Sequence, residues 1–196
     1  VKRILTGHRT TGPRHLGHLV GTLRNYVALQ EQYECYFLVA DLHALTTVFD
    51  RSRELRANVL DVVADFLAAG IDPHKASLVL QSAIPAPAQL CLLLGMLVSV
   101  SRLGRNPTYK EQVRELHLQS SLGFLSYPVL QAADILLYKA GQVPVGEDQL
   151  PHLELAREIA RRFNQLYGDT FPEPEALLSP MPRLPGIDNR SMHTSY

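Results

Sequence analysis

Four short strand-like runs, at residues 3–7, 36–40, 77–81 and 142–145, are separated by segments long enough to form helices. A strand followed by a crossover helix feeds a parallel partner, since two parallel strands cannot be joined by a hairpin. The repeated alternation therefore implies an α/β, Rossmann-like, doubly wound parallel sheet. Ligands on such sheets sit outside the carboxyl ends of the strands. That rule directs attention to Gly7 through His18, Asp41 to His43, Gln81-Ser82, and Gly146 to Gln149.

The helical runs differ in clarity. Residues 52–70 are the plainest: Leu55, Val59, Val62, Val63, Phe66 and Leu67 share one face, with Ser52 as the expected cap and Gly70 as the expected stop. Further helices are predicted over 16–34 and 129–140. A mostly helical insertion spans about 86–122, where Arg102, Arg105 and Lys110 read singly as a solvated basic face. Residues 171–185 hold Pro172, Pro174, Pro180, Pro182 and Pro185, and are expected to be an irregular loop over the site. The whole of 1–196 reads as one domain with that insertion.

Composition narrows the function classes. With 46% hydrophobic and 19% charged residues the chain can bury a core. The formal net charge is zero, so no global field draws in nucleic acid. Cys35 and Cys91 both lie in apolar runs and read as buried free thiols, with no spacing suited to zinc. Val1-Lys2-Arg3 leads straight into a strand, and the most apolar stretch, 90–100, is too short to span a bilayer. These features favour the cytoplasm and no membrane partner.

The densest chemical signal is His15-Leu16-Gly17-His18, after a turn holding Gly12-Pro13 and at the start of a helical run. A helix start offers free N–H groups and partial positive charge. Gly17 allows close approach of a phosphate or purine, and the two imidazoles donate without permanent charge. Taken alone, the tetrad reads first as an ordinary helix start with two surface histidines. Asp134 is unexpected in an apolar helical run, where a lone acid ordinarily caps or pairs with another element.

The tetrad resembles the His-Ile-Gly-His signature of class I aminoacyl-tRNA synthetases, with Leu16 in place of Ile. Residues 127–137, Tyr-Pro-Val-Leu-Gln-Ala-Ala-Asp-Ile-Leu-Leu, and 143–149, Val-Pro-Val-Gly-Glu-Asp-Gln, resemble motifs of the tryptophanyl-tRNA synthetase catalytic domain in order and spacing. The resemblance implies activation of L-tryptophan by ATP, with Mg²⁺ accompanying the nucleotide. Transfer to tRNA(Trp) by a longer protein would follow, in a homodimer paired through this domain. It assigns His15 and His18 to catalysis, and Arg9, Thr10, Thr11, Gly17, His18, Gly146, Glu147, Asp148 and Pro182 to ATP. Leu5, Gly7, His43, Gln131, Asp134, Val143, Val145 and Gln149 fall to the amino acid, with Asp134 accepting the indole N–H. No protein metal ligands are implied.

The match departs in three places. Where the family has the catalytic run Lys-Met-Ser-Lys-Ser, this chain has Ser191-Met192-His193-Thr194-Ser195, so hydroxyls replace both lysines. Arg9-Thr10-Thr11 stands for the usual Gln-Pro-Ser, and Gln131 for a Met that often meets the indole. The chain also stops before the family's anticodon-reading helical domain. Two other readings stay open at this point: a paralogue that binds tryptophan or nucleotide without turnover, and a tyrosyl relative whose Asp134 accepts a phenol O–H.

Overall fold

A computed structural model describes residues 2–115 and 120–178. Five strands, β1 (Arg3–Arg9), β2 (Glu34–Ala40), β3 (Ala76–Leu80), β4 (Gln142–Val145) and β5 (Glu175–Leu178), form one parallel sheet in the order β3-β2-β1-β4-β5. Successive side chains of β1 point to opposite faces. Ile4 joins Phe37, Val39, Leu23, Tyr26, Val62 and Phe66 on one face, and Leu5 joins Val143, Leu94, Ile135, Leu136, Leu155 and Ile159 on the other. Helices cover both faces, as the alternating pattern requires.

On the first face lie α1 (Leu16–His18), a π-type turn (Leu19–Leu23), α2 (Arg24–Leu29), and α4 (Leu55–Ala68). The second is covered by α5 (Ala86–Gly95), α8 (Leu122–Leu137) and α9 (Leu150–Tyr167), with α6 (Val100–Gly104) at its rim. Helix α3 (Asp41–Val48) follows β2 directly, and α7 (Pro107–Glu115) packs near α9.

Several boundaries differ from expectation. The helix predicted over 16–34 closes at Leu29, where Gln32 and Tyr33 both donate to the Leu29 carbonyl, and Glu34 already belongs to β2. Buried Gln30 turns inward to hold Gly70 O at 3.0 Å and Asp72 N at 2.9 Å, which ties this turn to the end of α4. Ser52 does not cap α4. A 3₁₀ turn over Phe49–Glu54, broken at Arg51 (φ −107°, ψ 30°), delays the helix to Leu55. Gly70 does end it, with φ +104°. The helix predicted over 129–140 starts a full two turns earlier, at the cap Ser121, and continues through Pro128. Residues 175–178 are an edge strand instead of loop: Pro172 and Pro174 precede it and leave its own N–H groups intact for β4. Residues 179–185 lie outside the described residues. Arg102 is not part of a free basic face; its guanidinium forks onto Glu158 at 2.7 and 2.8 Å.

Candidate functional site

Strand order reverses between β1 and β4, which makes their carboxyl ends the expected crevice. The two strands pair only at Ile4↔Gln142. Pro144 has no N–H to give the ladder, and Thr6 Oγ1 instead donates to the Pro144 carbonyl at 3.0 Å. Beyond that point the strands part. Gly7 of β1 is exposed beside Leu38 of β2, and a Cβ there would lie 2.1 Å from the Leu38 carbonyl oxygen, so only glycine fits.

The His15–His18 tetrad opens the helix with a reciprocal cap. His15 is extended (φ −114°, ψ 173°); its Nδ1 accepts from Gly17 N at 3.1 Å, and His18 Nδ1 accepts from His15 N at 3.3 Å. Because each Nδ1 accepts from the backbone, each neutral ring carries its proton on Nε2. The rings lie 4.0 Å apart, so the loop holds two imidazole donors side by side. Around them Arg9 is exposed and Thr11 half-buried. Thr10 is wholly buried, with no hydrogen-bond partner for its hydroxyl among the described residues.

Across the crevice, α3 and α8 meet at a buried carboxylate. Asp134 Oδ2 accepts from His43 Nε2 at 2.9 Å and from Gln81 Nε2 at 2.8 Å. Gln81 Oε1 in turn accepts from His43 N at 3.2 Å, which fixes which way its amide points. Asp134 Oδ1 is equally buried and has no partner among the described residues. A carboxylate oxygen in that condition is an acceptor waiting for one donor. Gln131 is half-buried one helical turn before Asp134. Nearby Asp41 Oδ1 caps two backbone N–H groups, Leu42 and Ser82, both at 3.0 Å, and so joins the ends of β2 and β3.

The end of β4 supplies the third wall. Val143 is buried in the core beside Leu5, while Val145 is half-buried. Gly146, Glu147 and Asp148 are exposed. Gln149 Nε2 donates to Asp148 Oδ2 at 2.8 Å, and Thr108 Oγ1 donates to the Asp148 carbonyl at 3.1 Å. A Cβ on Gly146 would meet Asp148 Oδ1 at 2.6 Å. Behind this loop His152 accepts from Asn106 at Nδ1 (3.1 Å) and reaches Tyr127 OH from Nε2 (2.9 Å). Burial lowers the His152 pKa to about 4 and raises that of Tyr127.

The described site residues lie near the carboxyl ends of β1, β2 and β4 or on the helices next to them, save that Leu5 and Val143 sit mainly in the core. Ser191, Met192, His193, Thr194, Ser195 and Pro182 lie outside the described residues. Sequence reasoning missed His8, Tyr127, Asn106, Thr108 and His152 as residues that shape the site. Gln81 had a signal, a polar side chain closing a strand at the ligand end of the sheet.

Residues 2–192 match the family model of class I tRNA synthetases for tryptophan and tyrosine. A tryptophan–tRNA ligase of Thermotoga maritima is 59% identical over 99% of this chain and 60% of its own length. That of Aquifex aeolicus is 43% identical over 99% of this chain and 67% of its own. A crystal structure of tryptophanyl-tRNA synthetase from Campylobacter jejuni, complexed with ADP and tryptophan, superposes with a TM-score of 0.92. It is 38% identical, with 99% of this chain and 60% of that one covered. The chain thus spans about three fifths to two thirds of the length of these relatives. A five-stranded parallel sheet open at its switch point, a His-x-Gly-His loop beside it and the family match over 2–192 agree: this chain belongs to the class I tRNA synthetases of the tryptophan and tyrosine type.

Proposed function

We propose that the protein activates L-tryptophan with ATP, forming tryptophanyl-adenylate and pyrophosphate, and that its full-length form passes the amino acid to tRNA(Trp). The observation that carries a side chain with one ring donor is Asp134, and likeness to tryptophan–tRNA ligases favours indole over phenol. Its Oδ2 is held by two donors while its buried Oδ1 is left for one more. Indole offers one N–H donor and no acceptor, which suits an acceptor-only carboxylate. A site built around that bond discriminates strongly against rings that lack it.

The reaction needs no protein nucleophile. The tryptophan carboxylate attacks the α-phosphorus of ATP, the bond to the β-phosphate oxygen breaks, and pyrophosphate leaves. The chain's contribution is alignment and charge stabilisation. The Nε2–H groups of His15 and His18 face developing negative charge on phosphate, and Asp148 accepts from ribose hydroxyls. Mg²⁺ would enter with the triphosphate, held mainly by phosphate oxygens. Among the described residues no group of three His, Cys, Asp or Glu side chains forms a cage for it.

The homodimer is supported by the exposed flank of α5 and α6. Leu92, Leu93, Met96 and Val100 are each more than half exposed there, and only Leu94 of the expected apolar run is fully buried. Cytoplasmic location fits free Cys35 and Cys91, and among the described residues no helix is long and apolar enough to cross a membrane. A second reading, a module that binds tryptophan without efficient turnover, is favoured by Ser191 and Thr194 where the family has lysines. Tryptophan-dependent ATP–pyrophosphate exchange, with tyrosine as control, separates them. Exchange with tryptophan alone supports the ligase; tryptophan binding without exchange supports the module; exchange with tyrosine alone refutes both.

A further inference from the structure

The next-to-last residue of strand β1 is a histidine that none of the functional assignments above uses. His8 is buried, its ring set edge-on against Tyr26 and Phe66 at 5.7 and 5.6 Å and against His18 at 5.3 Å. Its two nitrogens face opposite partners. Arg14 Nη1 lies 3.3 Å from Nδ1, and Thr22 Oγ1 lies 3.1 Å from Nε2. Guanidinium has no acceptor, so Nδ1 must accept and the ring proton must sit on Nε2. Nε2–H then donates to Thr22 Oγ1, whose own hydrogen goes to the His18 carbonyl at 2.7 Å. One unbroken donor chain runs from Arg14 through His8 and Thr22 into the backbone of the His15–His18 tetrad.

The same arginine grips the loop from the other side. Arg14 Nη2 donates to the Arg9 carbonyl at 2.9 Å and to the Gly12 carbonyl at 2.6 Å. His8 therefore sits where the two ends of the loop between β1 and α1 are tied together. The charged or titratable groups facing the ring are Arg14 and His18, with Tyr26 beneath it. Both burial and the Arg14 cation oppose a charge on His8, and its pKa falls to about 3, so the relay keeps its direction throughout the neutral range.

We propose that His8 is a positioning residue for nucleotide: by orienting Arg14 and Thr22 at once, it sets the loop carrying Arg9 and Thr11 and the angle of the tetrad at which phosphate is received. The inference rests on the nucleotide reading of this site. It concerns ATP alone, because His43, Gln81 and Asp134 are held by a separate hydrogen-bonded group.

The test is His8→Phe in the full-length protein, which keeps an aromatic ring against Tyr26 and Phe66 but removes both polar contacts. Two neutral or charge-assisted bonds of ordinary worth predict a rise of about 5- to 50-fold in KM for ATP in pyrophosphate exchange. KM for tryptophan should stay within about twofold. His8→Gln, which retains an Nε2-like donor for Thr22, should recover part of the loss. Nitrogen NMR of the wild type should find Nε2 protonated and Nδ1 bare. Equal rises in both KM values, no rise in either, or a proton on Nδ1 would overturn the proposal. If the wild type shows no exchange at all, the functional reading fails separately. Backbone amide exchange over residues 9–15 then decides: faster exchange in His8→Phe upholds the tether, and unchanged exchange refutes it.

Discussion

Replacing Asp134 by Asn probes the central assignment with almost no change in shape. Asn offers one oxygen and one NH₂ where Asp offered two oxygens. Oδ2 now serves donors from both His43 (2.9 Å) and Gln81 (2.8 Å). The amide oxygen must stay there, because the flipped amide would oppose donor to donor twice. The NH₂ group then takes the place of the unpartnered Oδ1 and meets the indole N–H head-on. The lost charge-assisted bond is worth about 1.5–3 kcal/mol, and the ligand donor left buried without a partner costs about 1–3 kcal/mol more. The sum predicts a loss of roughly 10²- to 10⁴-fold in tryptophan affinity. Calorimetric titration reads this directly. A tryptophan analogue with sulfur in place of the indole nitrogen should bind both proteins weakly, since it brings no donor. ATP affinity should be unchanged. An Asn variant that binds tryptophan within threefold of the wild type would refute the role of Asp134.

Other outcomes follow from the same structure. Gly7→Ala forces a methyl against the Leu38 carbonyl, and should destabilise the fold by about 1–3 kcal/mol or more in urea unfolding. Thr108→Val removes the 3.1 Å bond to the Asp148 carbonyl and should raise KM for ATP about 2- to 10-fold in pyrophosphate exchange. His152 titrates near 4 when folded against 6.5 when unfolded, so the unfolded chain binds the extra proton first. Its stabilising effect is complete above pH 6.5 and fades as pH falls toward 4, by about 3 kcal/mol in all; His152→Gln should flatten that slope in urea titrations across this range. Lysines restored at Ser191 and Thr194 together should speed exchange by about 10-fold or more, as charge on the departing pyrophosphate regains charged donors.

The parallel sheet was legible because residues 3–7, 36–40, 77–81 and 142–145 are short, apolar and separated by helical periodicity. Strand β5 was not, because Pro172 and Pro174 mark it as loop and its four residues give no period to read. Asp134, His43, Gly146 and Asp148 stood out through motif resemblance joined to chemical oddity, acids and an imidazole at the ligand end of a sheet. Tyr127, Asn106 and His152 escaped notice for the opposite reason. Each is a neutral polar group satisfied by another, 25 to 46 residues away in sequence, and nothing local betrays such a pairing. His8 reads locally as one more strand residue, because its partners Arg14 and Thr22 lie 6 and 14 residues further along the chain. The helix starts slipped where the chain inserted a 3₁₀ turn, at Phe49–Glu54, ahead of an otherwise correct apolar stripe.

The single paired position between β1 and β4 has a mechanical meaning. β1 and β2 are laced along seven matched residues, and β4 and β5 along four. The sheet is thus two well-sewn panels joined by one paired position, the Gly141 N–H donating to the Arg3 carbonyl at 3.1 Å beside it, and the Thr6–Pro144 clasp. A pulling force or a local opening would part the molecule along this seam before it unravelled either panel. Under the proposed function, a substrate touching Gly7 on one side and Asp134 or Gly146 on the other would bridge the same seam. Occupancy should therefore raise the resistance of the amide protons flanking the seam more than that of the β2–β3 interior, and turn a weak line in the scaffold into a clamp.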